Sequence, residues 1–325
     1  MKRDIIPHSE TNLENAESTL EILLKMSTAF IEKSKSTSTR KSYQSDWSHF
    51  VDWCTRYELP YMPTTNETYA LYLSSMVLDG LKASTIQRRM SSIAQAHYAK
   101  NFDTPSTKLI KEVWSGIKKE IGTYQEGKQP ILIETLFEML KLAPANIKGS
   151  RDKALLLIGF VGAFRRSELV NLDVSDFRLS KQGYTVRIKY SKTDQDGKGE
   201  FVAIPYGQSQ ETCPVLAIQN WLTVSSIESG PVFRAINKIG HLSEKRLSDK
   251  SVALIVKRYV EAVGLDPAMY AGHSLRKGFA TTAAMRGSSE RSIKEQTRHK
   301  SDAMLRRYIV NASLFMENAA NDLGL

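Results

Sequence analysis

Apolar side chains recur at helical spacing through two early stretches of the chain. From Ser18 to Lys33 they are Leu20, Leu23, Leu24, Ala29 and Phe30, and from Thr39 to Tyr57 they are Tyr43, Trp47, Phe50, Val51 and Cys54, so each stretch predicts an amphipathic helix. Pro63 and small polar residues in Tyr61 to Asn66 interrupt the pattern before a third run, Tyr69 to Leu78, which stops at Gly80. Ser84-Thr85-Ile86-Gln87 reads as a capping box for a fourth helix. Its apolar face holds Ile86, Met90, Ile93 and His97, leaving Arg88, Arg89 and Gln95 directed elsewhere. Trp114 and Ile117 anchor one more helix, and Gly122 to Pro130 has the Gly, Gln and Pro content of an exposed linker.

Beyond the linker, Ile131 to Leu142 and Arg151 to Leu169 predict helices, the second buried because it is nearly apolar through ALLLIGFVGAF. Gly159 and Gly162 inside it each cost about 1 kcal/mol of helix propensity, which predicts close approach of a neighbour. Tyr184 to Tyr190 alternates with period two and Phe201 to Ile204 resumes after TDQDGKGE, the signature of a β-hairpin. Pro214 to Val224, Ser251 to Val263, Leu275 to Met285, Ser289 to Gln296 and Asp302 to Ile309 predict further helices. The expected fold is mainly α with a small β-sheet, an α+β protein. A flexible leader (1–17) precedes a helical domain (18–121), a linker (122–130) and a mixed α/β domain (131–325).

A length of 325 residues agrees with two domains. The longest nearly apolar run, Ala154 to Phe164, is far shorter than the roughly 18 residues a membrane span needs. An acid and a proline in MKRDIIPHSE argue against a secretory signal. Cys54 and Cys213 are far apart and outside any CxxC spacing, which excludes a disulfide framework and a thiolate zinc site and suits a reducing cytoplasm. The net charge of +10 is unevenly placed. Residues 1–81 hold 8 Lys and Arg against 11 Asp and Glu, residues 82–120 hold 8 against 3, and the remainder holds 29 against 21. Positive charge thus begins at Lys82, either as a solvated helix face or as a groove that tracks phosphates.

Four features of the second domain bear on chemistry: Arg165 with Glu168 in AFRRSEL, Lys192 in YSKTDQDG, His273 and Arg276 in GHSLR, and His299 with Tyr308 in RHKSDAMLRRY. Singly, each has a plainer reading: a surface ion pair for Arg165 and Glu168, a solvated lysine, packing or capping histidines, one tyrosine among 13. Together they match one reaction. Phosphodiester cleavage builds charge on non-bridging oxygens, which guanidinium forks bind bidentately. A phenol becomes a useful nucleophile when cations favour its phenolate. An ammonium or imidazolium can protonate the departing 5′ oxygen.

In that order, Arg, Lys, HxxR, His and Tyr, with RxSEL around Arg165, SKT at Lys192 and nine residues from His299 to Tyr308, the chain resembles the tyrosine recombinase (phage integrase) family in its Cre- and Xer-like two-domain form. TRKSYQSDWSHFVDWC and STIQRRMSSIAQAH look like that family's core-binding domain, so the resemblance runs from about Ser18 onward. It implies that Arg165 and Arg276 hold the scissile phosphate, Lys192 protonates the leaving oxygen, and His273 assists proton transfer. His299, where some relatives use Trp, would hydrogen-bond a phosphate oxygen. Tyr308 would form a 3′-phosphotyrosyl link, with Glu168 supporting the site. Lys277 and Arg298 depart from the usual pattern, and Arg298 either adds phosphate contacts or sits in solvent.

The resemblance further implies a clamp on double-stranded DNA, a homo-tetramer joining two target sites, no cofactor and no metal. Lys82, Gln87, Arg88 and Arg89 are candidate DNA contacts. The segment after Tyr308, with Leu314, Phe315, Met316 and Ala319, is expected to dock on a neighbouring protomer or to pack on its own. No arm-binding domain is evident before Ser18. The competing readings are a catalytically silent DNA-binding regulator or excision accessory protein, and a metal-dependent nuclease or transposase, for which no clustered acidic motif stands out.

Overall fold

The computed structural model describes residues 19–27, 30, 36–124, 127–189, 199–299, 301, 302 and 306. The chain divides into two compact units, Met1–Gln125 and Glu126–Leu325. The leader, Lys192, Tyr308, the tail residues Leu314, Phe315, Met316 and Ala319, and most of the helix expected over Asp302 to Ile309 lie outside the described residues.

The N-terminal unit contains α1 (Thr37–Arg56), α2 (Asn66–Leu78), α3 (Ala83–Ala99) and α4 (Lys108–Ile121), and residues 19–27 are also helical. Side-chain oxygens start α1 and α2: Ser36 accepts the Thr39 N–H and Thr65 accepts the Thr68 N–H, each at 3.1 Å. The fourth helix starts earlier than its capping-box motif predicts. Gly80, at φ 69°, ends α2, and the Leu81 N–H donates back to the Met76 carbonyl at 3.0 Å. The chain therefore enters α3 with Lys82 at the N-cap and Ser84 already inside the first turn.

Helix α1 packs on α3 and α2 on α4 around Phe50, Tyr69, Tyr72, Leu73, Met76, Ile86, Ile93 and Ile110. His97 belongs to this core: its Nε2 accepts the Thr64 N–H at 3.0 Å while Nδ1–H donates to the Ile93 carbonyl at 2.9 Å. Both nitrogens are thus used for packing.

The C-terminal unit is built on α6 (Ile147–Val161), buried along most of its length and packed on α5 (Ile133–Lys141), α8 (Pro214–Ser225) and α10 (Ser274–Met285). The single helix expected over Arg151 to Leu169 is in fact two, because the chain breaks after Val161 and restarts as α7 (Arg166–Val170). Ala163 adopts φ 44°, and the Phe164 N–H turns back to the Gly159 carbonyl at 3.2 Å. Gly162 makes the break possible, since a Cβ there would lie 2.1 Å from the Phe164 ring. At Gly159 a Cβ would stand 3.0 Å from Leu275 and 3.1 Å from Leu169, the close approach expected of this helix.

The expected hairpin is β2 (Gly183–Ile188) against β3 (Glu200–Pro205), antiparallel with Val186 opposite Val202. β1 (Phe177–Ser180) adds a third strand beside β2, and β4 (Arg234–Ile236) with β5 (Leu242–Arg246) forms a second hairpin. Neither addition was expected: both are short, and LSEKR of β5 lacks a buried alternating face. Helices α9 (Asp249–Ala262) and α11 (Glu290–Thr297), like α8 and α10, fall within two residues of the predicted runs. Among the described residues no helix is long and apolar enough to cross a membrane.

Candidate active site

The break between α6 and α7 turns an apolar helix into a presentation site for charge. Arg165 stands at the N-cap of α7, and its backbone N–H donates to Glu168 Oε2 at 2.9 Å. Glu168 therefore caps the helix that carries it. Its carboxylate is 2% exposed and also holds the Arg165 guanidinium through Oε1 and the Arg298 guanidinium at 3.0 Å. Burial alone would raise its pKa, but Arg298, Arg165 and the Arg165 backbone N–H together hold the carboxyl below its ordinary value. The pair expected on a solvated helix face is thus a buried three-residue charge cluster.

Arg298 joins that cluster from the end of α11, and its surroundings correct the expectation that it contacts phosphate or sits in solvent. Its backbone is left-handed, at φ 56°. Its side chain is buried over the Phe164 ring and donates to the carbonyls of Gly162 at 3.0 Å, Ala163 at 3.1 Å and Gln296 at 2.8 Å, besides Glu168. Arg298 therefore holds the break in place. Gln296 assists, bonding the carbonyls of Val161 at 2.8 Å and Ala203 at 3.0 Å, which ties α11 to the end of α6 and to β3.

Arg276, in the first turn of α10, is 4% exposed and donates to the same Ala163 carbonyl at 2.7 Å. Guanidiniums from α10 and the end of α11 thus converge on one backbone oxygen, two residues before Arg165. His273 caps α10, and its pKa is lowered by the surrounding protein first and then by Arg276, Arg166 and Arg165, against the opposing Glu168 charge. His299 is buried, and its Nδ1 lies 2.7 Å from Thr297 Oγ1. Burial, then Arg276, Arg165, Arg298 and His273, push its pKa down to about 4. Both imidazoles are therefore biased toward the neutral form.

The structure brings Arg165, Glu168, His273, Arg276 and His299 into one cationic cluster; Lys192 and Tyr308 lie outside the described residues. Sequence reasoning missed Thr297 and Gln296, which carry no motif, and misjudged Arg298, which stands where a left-handed turn favours glycine. Lys277, the other departure from the family pattern, donates to the Lys128 carbonyl at 2.8 Å. Among the described residues no three His, Cys, Asp or Glu are grouped to hold a metal ion.

In the N-terminal unit, Lys82 and Gln87 are exposed. Arg88 gives both Nε and Nη2 to the buried Asp46, at 2.7 and 2.9 Å, and Arg89 donates to the Tyr72 hydroxyl at 3.3 Å. Those two arginines are thus anchored in the fold, and only Arg88 leaves about half its side chain, 48%, exposed.

The model of the phage integrase family matches residues 133–313. An integrase/recombinase xerD homolog of Selenomonas ruminantium is 44% identical over 296 residues, covering 90% of this chain and 86% of that protein. Tyrosine recombinase XerC of Syntrophus aciditrophicus (strain SB) is 26% identical over 310 residues, covering 86% and 88%. Among solved structures, a XerH site-specific recombinase bound to palindromic difH substrate in a post-cleavage complex superposes with a TM-score of 0.62 at 20% identity, covering 80% of this chain and 73% of that one. That structural likeness supports the fold. The family match across the second unit and the sequence identity along most of the chain lead to one assignment: this chain belongs to the phage integrase family and is a tyrosine recombinase.

Proposed function

We propose that this enzyme is a site-specific DNA recombinase that breaks and rejoins strands through a 3′-phosphotyrosyl intermediate, exchanging strands between two duplex sites within a homo-tetramer. Arg165 and Arg276 hold the scissile phosphate, and the Tyr308 oxygen attacks phosphorus as the bond to the 5′ oxygen breaks. The 5′ oxygen leaves as a hydroxyl carrying a proton from Lys192, while His273 receives the phenolic proton. Rejoining runs the same steps backward, with a 5′ hydroxyl displacing the tyrosine, so no external energy source is required. His299 contacts a non-bridging oxygen, and Glu168 keeps Arg165 in place. Lys82 and Gln87 are the N-terminal contacts most open to DNA, with Arg88 adding its exposed edge. The reaction uses no cofactor and takes place in the cytoplasm, where the two free, buried cysteines stay reduced.

The observation that carries this reading is the convergence of Arg276 with the Arg165–Glu168–Arg298 cluster on the turn at Ala163, beside two histidines held neutral. Neutral imidazoles exchange protons while fixed guanidiniums bind the anion. The test is covalent trapping on nicked duplexes made from the DNA flanking the gene. Wild type should give a protein–DNA adduct that survives denaturation and excess EDTA, and Tyr308→Phe should give none. An adduct persisting in that variant removes Tyr308 from the role.

A further inference from the structure

The end of α11 holds a hydrogen-bond chain whose direction can be read from atom counts. Thr297 is fully buried, and its Oγ1 lies 2.6 Å from the Ile293 carbonyl and 3.4 Å from that of Lys294. A carbonyl only accepts and a hydroxyl has one hydrogen, so that hydrogen is committed to the helix. At 2.7 Å from the same oxygen, His299 Nδ1 must then be the donor. A neutral imidazole carries a single N–H, which leaves Nε2 unprotonated. The left-handed turn at Arg298 allows the two side chains, two residues apart, to meet.

We propose that Thr297 is a positioning residue: by accepting the Nδ1 proton it keeps neutral His299 unprotonated at Nε2, so that the ring bonds a phosphate oxygen only after taking up a proton from solvent. The proposal rests on the reading that DNA phosphate enters this cluster. A non-bridging phosphate oxygen accepts hydrogen bonds, and toward a lone pair on Nε2 it has nothing to accept. Once Nε2 is protonated, the contact becomes a charge-assisted N–H bond to an anion.

Among the described residues, the charged and titratable groups acting on the ring include Arg276 and His273 from α10 and its cap, Arg165 from the break, and Arg298 from its own turn. With burial they hold the DNA-free ring neutral at pH 7, with a pKa near 4. An incoming phosphate opposes those cations and favours the imidazolium. Phosphate engagement is thereby coupled to uptake of one proton and tightens as pH falls.

Ring nitrogens of the full-length, ¹⁵N-labelled protein, assigned with His299→Gln, test the first half without DNA. Wild type and Thr297→Ser should show His299 protonated at Nδ1, and Thr297→Val should move the proton toward Nε2. A wild-type ring protonated at Nε2 overturns the proposal whether or not the valine variant folds.

Calorimetric titration with a random-sequence duplex, in two buffers of different ionisation heat at pH 7, tests the second half. Wild type and Thr297→Ser should take up nearly one proton more than His299→Gln, and Thr297→Val should lose that excess. Equal uptake by wild type and His299→Gln overturns the coupling. Absence of any binding heat would instead overturn the DNA reading and the coupling with it, while the ring spectrum still decides the role of Thr297.

Discussion

In the N-terminal unit, Asp46 is buried beneath Arg88, which leaves half its side chain in solvent, and near Arg89, whose Nε lies 3.8 Å away. In the C-terminal unit, Glu168 is buried between Arg298, itself sealed in the interior, and Arg165, which is 13% exposed. The chemistry is the same and the solvent is not. Arg88 can rehydrate if its partner is removed, whereas Arg298 cannot leave without dismantling the turn that holds Arg165 and Arg276. Charge in the first unit fastens two helices together, and charge in the second fixes a constellation of guanidiniums that water does not relax.

That contrast is open to experiment. The largest effect is expected from Glu168→Ala, which leaves Arg165 and Arg298 without their carboxylate and should destabilise the C-terminal unit by about 3–5 kcal/mol, as measured by denaturant unfolding. Losing the ordering of Arg165 should also slow DNA cleavage in single-turnover assays. Arg276→Ala should slow cleavage by about 10²–10³-fold, the usual consequence of deleting one oxyanion donor, and cost about 1–3 kcal/mol of stability through the lost bond to the Ala163 carbonyl, with the unit still folded.

Arg298→Gly sharpens the comparison, because glycine suits φ 56° and recovers about 1 kcal/mol of backbone strain while losing the Glu168 pair. A net loss of about 2–3 kcal/mol would show that the side chain outweighs the backbone cost. A gain in stability would mean that the buried cluster is not what secures the break. Asp46→Ala, by comparison, should cost only about 1–2 kcal/mol, since Arg88 turns to solvent. At the small end, Lys82→Ala should leave stability unchanged and reduce the salt slope of DNA binding by about 1.

Acid should separate the units as well. The Glu168 pKa is lowered by its arginines, so the unfolded chain binds more protons there. That contribution is complete above the ordinary carboxyl range and is lost as pH falls through the depressed folded value. His299 acts in the same direction between its ordinary 6.5 and about 4, where the unfolded ring is charged and the folded one is not. Stability of the C-terminal unit should therefore rise with pH across that window, and His299→Gln should flatten the rise.

Helices α1, α3, α8 and α9 were legible because each buries one stripe of apolar residues, and period alone reveals a stripe. That Arg165, His273, Arg276 and His299 form one group was legible because spacing and order along the chain set them apart, and the structure brings them into one cluster. The break after Val161 was not, since the apolar run continues through it and the left-handed Ala163 is stabilised by contacts from α10 and α11, more than a hundred residues away. β1, β4 and β5 were hidden for a related reason: they are short, and their pairing partners rather than an alternating pattern define them.

The amino-acid order by itself determined which cationic, imidazole and phenol groups the chain carries and which helical faces must be covered, because side-chain chemistry and periodicity are local properties. Only the tertiary structure decided that Arg298 is a buried strut, that Glu168 is a capped carboxylate between two cations, and that Thr297 sets the proton on His299. Each of those roles depends on how much water is left around a charge and on which distant carbonyl completes its hydrogen bonds, and neither quantity exists until the chain has closed on itself.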